Sequence, residues 1–330
     1  MTDVKKILMD GARQKPVKVI VHEADDERVL RATEIILKEK IAIPVLIGEN
    51  IEKIQALIKK LGLNLSNVEL ITPKTYSNKE SLAKELYELR KYKGLSLEDA
   101  KKLLDDQFYL GVMLLHKGEA GAITGTCVYP TAALMKPALQ IIKTKDGVAA
   151  CGVSIMIDRK MNKVFLAADA DITIDPNAEQ LADIAVSTAN AAEALGIEPK
   201  VAFLSYSTKG SGGGHPSLGK IRQALELAKK KKPGVIIDGE LQLDAAILKE
   251  GCMRKCPASP VKGEANCLIF PDLTSANIGL KLWMEFGDVQ YIGPLNMGMK
   301  KPVNELGRTF KPEDIANTVM LCAFMANKGI

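Results

Sequence analysis

One stretch of this 330-residue chain indicates its fold, Val201-Ala202-Phe203-Leu204 followed by Ser205-Tyr206-Ser207-Thr208-Lys209-Gly210-Ser211-Gly212-Gly213-Gly214-His215-Pro216. The apolar run is typical of a buried strand, and residues 217–232 are typical of a helix. A glycine-rich turn between a strand and a helix favours anion binding, because its backbone N–H groups and the helix N-terminus can approach an oxyanion. The stretch predicts an α/β fold with a phosphate or a phosphorylated substrate near this loop; a ligand-free surface turn is the alternative.

Two nucleotide-binding motifs fit the loop only in part. The segment 214–221 has the spacing of a Walker A loop, but Ile221 stands where a Ser or Thr should hold Mg²⁺. Gly210-Ser211-Gly212 begins a dinucleotide fingerprint that Gly213 and Gly214 do not complete. The loop therefore favours a small phosphorylated ligand over a nucleoside triphosphate or NAD.

Strand and helix patterns alternate on both sides of this loop. Apolar strands are predicted at 19–21, 43–47, 68–71 and 120–124, and amphipathic or capped helices lie between them. Around residue 146 the pattern changes to a hairpin, with strands at 148–157 and 163–168, which indicates a domain boundary. Strands at 234–237, 266–270 and 289–292 follow, then a loop at 293–303 and a last helix at 312–327. The alternation predicts mainly parallel sheets covered by helices.

The composition and charge of the chain disfavour several classes of protein. The chain is 47% hydrophobic and 26% charged with a net charge of +5, which is ordinary for a globular protein. No apolar run reaches membrane-spanning length, and the N-terminus has no signal-peptide core. These two absences favour a cytoplasmic protein. The basic run 229–232 ends a helix and has no aromatic residues among it, which disfavours nucleic-acid binding. The six cysteines and three histidines have no zinc-site spacing, so a metal site could form only if the fold brought distant residues together.

Polar clusters follow several predicted strands. They lie at 205–214, 238–244, 271–277 and 301–308, and Asp314 follows the last of them. Because ligands bind at the carboxyl ends of strands in parallel α/β sheets, the recurrence favours a binding site. Arg308 can form a fork to a phosphate or to a developing oxyanion. Asp314 falls in the first turn of a helix, where a favourable interaction with the helix dipole is the alternative to a catalytic role.

These clusters belong to a longer ordered set of motifs. The set runs through Glu23-Ala-Asp-Asp-Glu-Arg28, Arg90-Lys91-Tyr92-Lys93-Gly94, Lys136-Pro-Ala-Leu-Gln-Ile-Ile-Lys143, Asp175-Pro-Asn-Ala-Glu-Gln-Leu181, Leu204-Ser-Tyr-Ser-Thr208, Asp238-Gly-Glu240 with Gln242 and Asp244-Ala245, Phe270-Pro-Asp-Leu273, Asn277-Ile278-Gly279 and Lys301-Pro-Val-Asn304. In the identity and order of these motifs, the chain resembles the phosphate acetyltransferases of the phosphate acetyl/butyryltransferase family. The resemblance implies two α/β domains with mainly parallel sheets and an interdomain cleft, in the layout of isocitrate and isopropylmalate dehydrogenases. It places residues 1–146 with 303–330 in the first domain and 147–302 in the second, which would join a homodimer.

The resemblance also implies a reaction. Acetyl is transferred reversibly between acetyl phosphate and CoA in a ternary complex, without a metal or a cofactor other than CoA as substrate, and phosphate is released. By position Asp314 is the general base for the CoA thiol and Arg308 stabilises the oxyanion. Substrate binding falls to Arg90, Lys136, Ser207, Thr208 and Gly307. A phosphate butyryl- or propionyltransferase and a low-activity acyl-phosphate- or CoA-binding homologue are the alternatives.

The chain departs from the family pattern near these residues. The family usually has Ser before the catalytic arginine, where this chain has Gly307, and Arg where it has Lys136. The Asp-Cys step of the family reads Asp169-Ala170, and Tyr129-Pro130 replaces a polar pair. Losing an oxyanion donor typically costs about 10²- to 10³-fold in rate, so the departures bear on turnover and acyl specificity more than on the fold.

Overall fold

The computed structural model describes residues 3–330, so the first two residues of the predicted first domain lie outside the described part. The chain divides into two compact units. The N-terminal unit comprises Lys5–Lys143 together with Met299–Gly329, and the central unit is built from Thr144–Gly298. Each unit contains its own sheet.

The helices and strands alternate along most of the chain. The helices are α1 Val4–Ala12, α2 Glu27–Lys38, α3 Ile51–Leu61, α4 Lys79–Arg90, α5 Leu97–Leu103, α6 Gln107–Lys117, α7 Ala132–Ile141, α8 Ala178–Ala194, α9 Pro216–Lys231, α10 Leu243–Ile247, α11 Lys249–Lys255, α12 Leu273–Phe286 and α13 Pro312–Lys328. The strands are β1 Lys18–Val21, β2 Ile43–Ile47, β3 Glu69–Ile71, β4 Ala122–Gly125, β5 Cys151–Asp158, β6 Lys163–Ala168, β7 Lys200–Leu204, β8 Ile236–Leu241, β9 Cys267–Ile269, β10 Val289–Met297 and β11 Val303–Glu305. Within residues 3–330, none of these helices has the length and apolar character needed to span a membrane.

The N-terminal unit is built on a five-stranded sheet in the order β11-β4-β1-β2-β3. All of its strand pairs are parallel, so the carboxyl ends of the strands share one edge. Helices α2 and α13 pack against each other, and α13 also packs on β4. The strand β4 is buried along its whole length, as is typical of a parallel strand covered on both faces.

The central unit has a six-stranded sheet in the order β10-β5-β6-β9-β7-β8. The predicted hairpin is present as the antiparallel pair β5–β6, and β10 also pairs antiparallel with β5. The remaining pairs, β6–β9, β9–β7 and β7–β8, are parallel. Both sheets together confirm the prediction of a mixed α/β fold with mainly parallel sheets.

Some local predictions were wrong. Residues 293–303 are not one loop, because β10 continues through a register shift to Met297 and β11 begins at Val303. The shift falls at Pro294, which has no N–H to donate to the ladder. The helix predicted near 244–253 is two short helices separated at Leu248, whose backbone is extended. The helix α1 was not predicted.

Candidate active site

Arg308 lies in the connection between β11 and α13, just beyond the carboxyl edge of the five-stranded sheet. Its side chain is exposed, and its guanidinium pairs with no residue among 3–330. The backbone carbonyl of Arg308, by contrast, accepts a hydrogen bond of 2.7 Å from Arg28 Nη1. The loop is therefore held by its backbone while the charged side chain is left for a ligand.

Gly307 has a crowded surrounding. A Cβ added there would lie 2.5 Å from Cε1 and 2.6 Å from Cδ1 of Phe310. The aromatic ring thus occupies the position that a side chain at residue 307 would need. The backbone N–H of Gly307 donates to no described residue, which leaves it available as a donor where the family usually has a serine hydroxyl.

Asp314 is an exposed residue in the first turn of α13. Its carboxylate accepts a hydrogen bond of 2.9 Å from the backbone N–H of Lys311, the residue that precedes the helix. The side chain therefore contributes to the cap of α13, at the first-turn position where the sequence had offered an interaction with the helix dipole as the alternative to catalysis. The cap fixes the direction of the carboxylate, and the remaining acceptor sites stay open to solvent.

Arg90 and Lys136 are brought together in one pocket of about 520 Å³. Lys93 and Lys102 also line it, against two acidic residues, Asp99 and Asp106. The excess of cations makes the pocket suitable for an anion such as a phosphate.

The floor of this pocket is polar and fixed. Tyr109 donates a hydrogen bond of 2.9 Å from its hydroxyl to Gln140 Oε1, and Arg90 Nη1 lies 3.5 Å from the Gln140 carbonyl. Burial raises the pKa of Tyr109, so its hydroxyl keeps its proton near neutral pH. The phenol can therefore serve only as a neutral group in the pocket.

Ser207 and Thr208, in the central unit, are buried. Ser207 Oγ donates to Glu240 Oε1 over 3.0 Å and accepts from the N–H of Gly212 over 2.9 Å. Thr208 Oγ1 accepts from the backbone N–H of Gln242 over 3.0 Å and lies 3.3 Å from its side-chain oxygen. Both hydroxyls are engaged within the protein, so their contact with substrate stays a prediction.

The loop that contains these residues is organised by Glu240 at the end of β8. The Glu240 carboxylate also accepts from Gly210 N–H and from two nitrogens of Arg222, at 2.8 to 2.9 Å. Arg222, followed by the backbone and Ser207 hydrogen bonds, lowers the pKa of Glu240 to about 2 although burial opposes the change. The backbone N–H of Gly210, which an anion could have used, is thus bound to an internal carboxylate. Sequence reasoning included Glu240 in a motif but assigned it no role.

Glu23 and Arg28 were likewise part of a motif without a role. Glu23 lies in the connection between β1 and α2 and Arg28 in the first turn of α2. Their side chains contact two loops at the carboxyl edge of the sheet. Among residues 3–330, no group of three or more His, Cys, Asp or Glu side chains is arranged to hold a metal ion.

Comparison with known proteins identifies the family of this chain. The family described as "Phosphate acetyl/butaryl transferase" matches residues 3–323. A phosphate acetyltransferase of Thermoanaerobacterium thermosaccharolyticum is 42% identical over 325 residues, covering 97% of this chain and 98% of the relative. One of Clostridium acetobutylicum is 40% identical over 334 residues, covering 99% and 100%. The solved structure of a phosphotransacetylase from Streptococcus pyogenes superposes with a TM-score of 0.93 at 40% identity and covers 98% of both chains. The chain belongs to the phosphate acetyl/butyryl transferase family.

Proposed function

We propose that this chain is a phosphate acetyltransferase, which transfers acetyl reversibly between acetyl phosphate and CoA. The observation that carries the proposal is the exposed, unpaired guanidinium of Arg308 in the same loop-and-helix segment as the exposed carboxylate of Asp314. The pair supplies the two groups that acyl transfer to a thiol needs, a base and an oxyanion donor. The full-length relatives named phosphate acetyltransferase support the same reaction.

The proposed chemistry is a direct transfer in a ternary complex. Asp314 accepts the proton of the CoA thiol, because a thiol of pKa about 8.5 is mostly protonated near neutral pH. The thiolate attacks the carbonyl carbon of acetyl phosphate and the carbonyl π electrons move to oxygen, where Arg308 and the Gly307 N–H stabilise the negative charge. The tetrahedral intermediate collapses by breaking the C–O bond to phosphate, which leaves acetyl-CoA and inorganic phosphate. No step is assigned to a metal or to a cofactor.

The pocket of Arg90 and Lys136 is proposed to bind a phosphate of CoA. Its basic lining matches the anionic end of that substrate. For Ser207 and Thr208 the substrate role requires each hydroxyl to exchange an internal partner for acetyl phosphate.

The decisive assay mixes the pure protein with acetyl phosphate and CoA and follows thioester absorbance. We expect Asp314→Asn to lower turnover by about 10²-fold or more, as for loss of a general base. The amide oxygen can still accept from Lys311 N–H, so the helix cap is kept. The neighbouring Glu313→Gln is the matched control and should leave turnover unchanged. Absence of thioester with every short acyl phosphate would disprove the enzyme, and unchanged kinetics in Asp314→Asn would remove that residue from the mechanism.

A longer acyl group is the second candidate. The observation that favours it is the departure at Gly307 and Lys136, two residues assigned to the substrates. Turnover measured with acetyl, propionyl and butyryl phosphate separates the possibilities. Binding of CoA in calorimetry without any turnover would instead indicate a binding homologue.

A homodimer in the cytoplasm is proposed as the working form. In the central unit, α12 exposes Ile278, Leu282 and Phe286 by 55%, 52% and 86%, spaced four residues apart on one face. Such an apolar stripe is typical of an interface, and a second copy would cover it. We expect Phe286→Asp to shift the mass measured by light scattering toward the monomer; a wild-type protein already monomeric would refute this assembly.

A further inference from the structure

We propose that Glu23 and Arg28 form a clamp that holds the loop after β4 and the Arg308 loop in one fixed arrangement, and that both are positioning residues for the reaction. The inference rests on the proposed function, because Arg308 is its catalytic arginine. Neither residue is proposed to touch substrate. Each acts through the backbone of a loop.

Glu23 holds the loop after β4. Its carboxylate accepts from three consecutive backbone N–H groups: those of Cys127 at 2.6 Å, Val128 at 2.9 Å and Tyr129 at 2.9 Å. Glu23 is 3% exposed, so these bonds replace water around a buried carboxylate. Glu23 and Thr126 have φ of 63° and 78°, in the left-handed region of backbone conformation that residues other than glycine rarely adopt. Such backbone is kept only where its surroundings fix it.

Arg28 joins that loop to the Arg308 loop. Its Nη2 donates to the Cys127 carbonyl over 3.0 Å, and its Nη1 donates to the carbonyls of Arg308 and Phe310 over 2.7 Å and 3.2 Å. The Asp26 carboxylate accepts from Nε and Nη2, both at 3.0 Å, and fixes the guanidinium plane.

The geometry requires an arginine. The contacts use all three nitrogens of the guanidinium, which carry five N–H groups in a rigid plane. A lysine has three donors on one atom and cannot reach Asp26, Cys127 and the Arg308 loop together. Hydrogen bonding to Asp26 is also the main cause that raises the pKa of Arg28, so the cation is permanent.

Cys127 is the point that the two residues share. Its N–H donates to Glu23 and its carbonyl accepts from Arg28. A displacement of either loop therefore disturbs the other through the backbone of Cys127 and the side chain of Arg28. Since a misplacement of about 1 Å can cost 10²-fold in rate, the clamp bears directly on turnover.

The test compares Arg28→Lys and Arg28→Gln with Arg31→Lys and Arg31→Gln as matched controls. Arg31 lies on the same helix, pairs with exposed Glu27 over 2.8 Å and contacts neither loop. We expect the Arg28 variants to lose about 10- to 100-fold in kcat, with KM for CoA changed less than about threefold. The Arg31 variants should equal the wild type. Glu23→Gln should lower kcat in the same way, because its amide nitrogen would face backbone N–H groups.

A chemical rescue separates positioning from simple structural damage. Guanidinium ion added at millimolar concentration to Arg28→Ala should restore part of kcat and should leave Arg31→Ala unaffected. Full kcat in the Arg28 variants, or a loss that merely follows the unfolded fraction, would overturn the clamp.

Amide hydrogen exchange decides the question independently of activity. In Arg28→Gln we expect faster exchange in both 127–129 and 307–310 than in the wild type or Arg31→Gln. Unchanged exchange in either segment refutes the clamp. If the wild type formed no thioester but Arg28→Gln still exchanged faster in both segments, the proposed reaction would be disproved and the coupling of the two loops would stand.

Discussion

Replacing Gly307 with serine would introduce the hydroxyl that the resemblance to the family leads one to expect before Arg308, the proposed catalytic arginine, yet we expect the variant to be slower than the wild type. The new Cβ would lie 2.5 Å and 2.6 Å from two ring carbons of Phe310. Carbon atoms prefer separations of about 3.5–4.0 Å, so the ring or the loop must move by about 1 Å. Such overpacking costs about 1–3 kcal/mol.

That free-energy cost can lower either the stability of the protein or its turnover. If the loop keeps its shape only under strain, stability falls, by about 2–4 °C in Tm for each kcal/mol in a unit of this size. If the loop yields, Arg308 is displaced and kcat falls by about 5- to 150-fold, the same energy expressed as a barrier. Because the Phe310 carbonyl is bound to Arg28, movement of this residue also disturbs the backbone of Arg308.

Kinetics by thioester absorbance and thermal unfolding measure both effects. Gly307→Ala separates the Cβ from the hydroxyl and should lose as much as Gly307→Ser. The double variant Gly307→Ser with Phe310→Ala removes the clash and should recover turnover, to the wild-type level or above it. A single Gly307→Ser variant that is as fast and as stable as the wild type would refute the reasoning, because the ring would then impose no constraint.

Three further outcomes are expected. Arg90→Gln should raise KM for CoA by about 10- to 150-fold, which is the value of a charge-assisted hydrogen bond to phosphate. Lys136→Arg should lower KM for CoA, because a guanidinium can donate two parallel hydrogen bonds to a phosphate. If both variants had the KM of the wild type, the proposed phosphate pocket would be contradicted. Glu240→Gln should lower the free energy of unfolding in urea by about 1–3 kcal/mol, because Arg222 and Ser207 lose their carboxylate partner; an unaltered midpoint would speak against that network. The pKa of Glu240 falls from 4.5 to about 2 on folding, so its contribution to stability is complete above pH 4.5 and is lost as pH falls toward 2. The stability difference between wild type and Glu240→Gln should therefore shrink over that window, and a difference that stays constant would show that the ionisation of Glu240 does not contribute to it.

The fold followed from local patterns for physical reasons. The strand at 200–204 and the helix after it carry their apolar residues at strand and helix spacing, and β5–β6 has a polar turn between two apolar runs. Short or irregular elements escaped prediction. The three residues of β11 give too little periodicity, and the shift at Pro294 hides the second half of β10.

In the candidate site, too, some features could be predicted from the sequence and others could not. Arg308 and Asp314 lie close in sequence, in a segment whose motif could be recognised, and both side chains are exposed where a ligand could reach them. Ser207 and Thr208 were chosen for their hydroxyls, but Glu240 at the end of β8 and Gln242 just after it occupy those hydroxyls. Composition cannot show which partner a hydroxyl has.

The sequence by itself determined the alternation of strands and helices, the family and the residue types that the reaction needs, because these depend on local spacing and on side-chain chemistry. Only the tertiary structure decided which donors are free and which are occupied. The glycine-rich loop keeps its shape through Glu240, 30 residues beyond Gly210, and Arg28 reaches the carbonyl of a residue 280 positions away. Such bonds form only after parallel strands bring their carboxyl ends to one edge, and no local pattern in the chain encodes them.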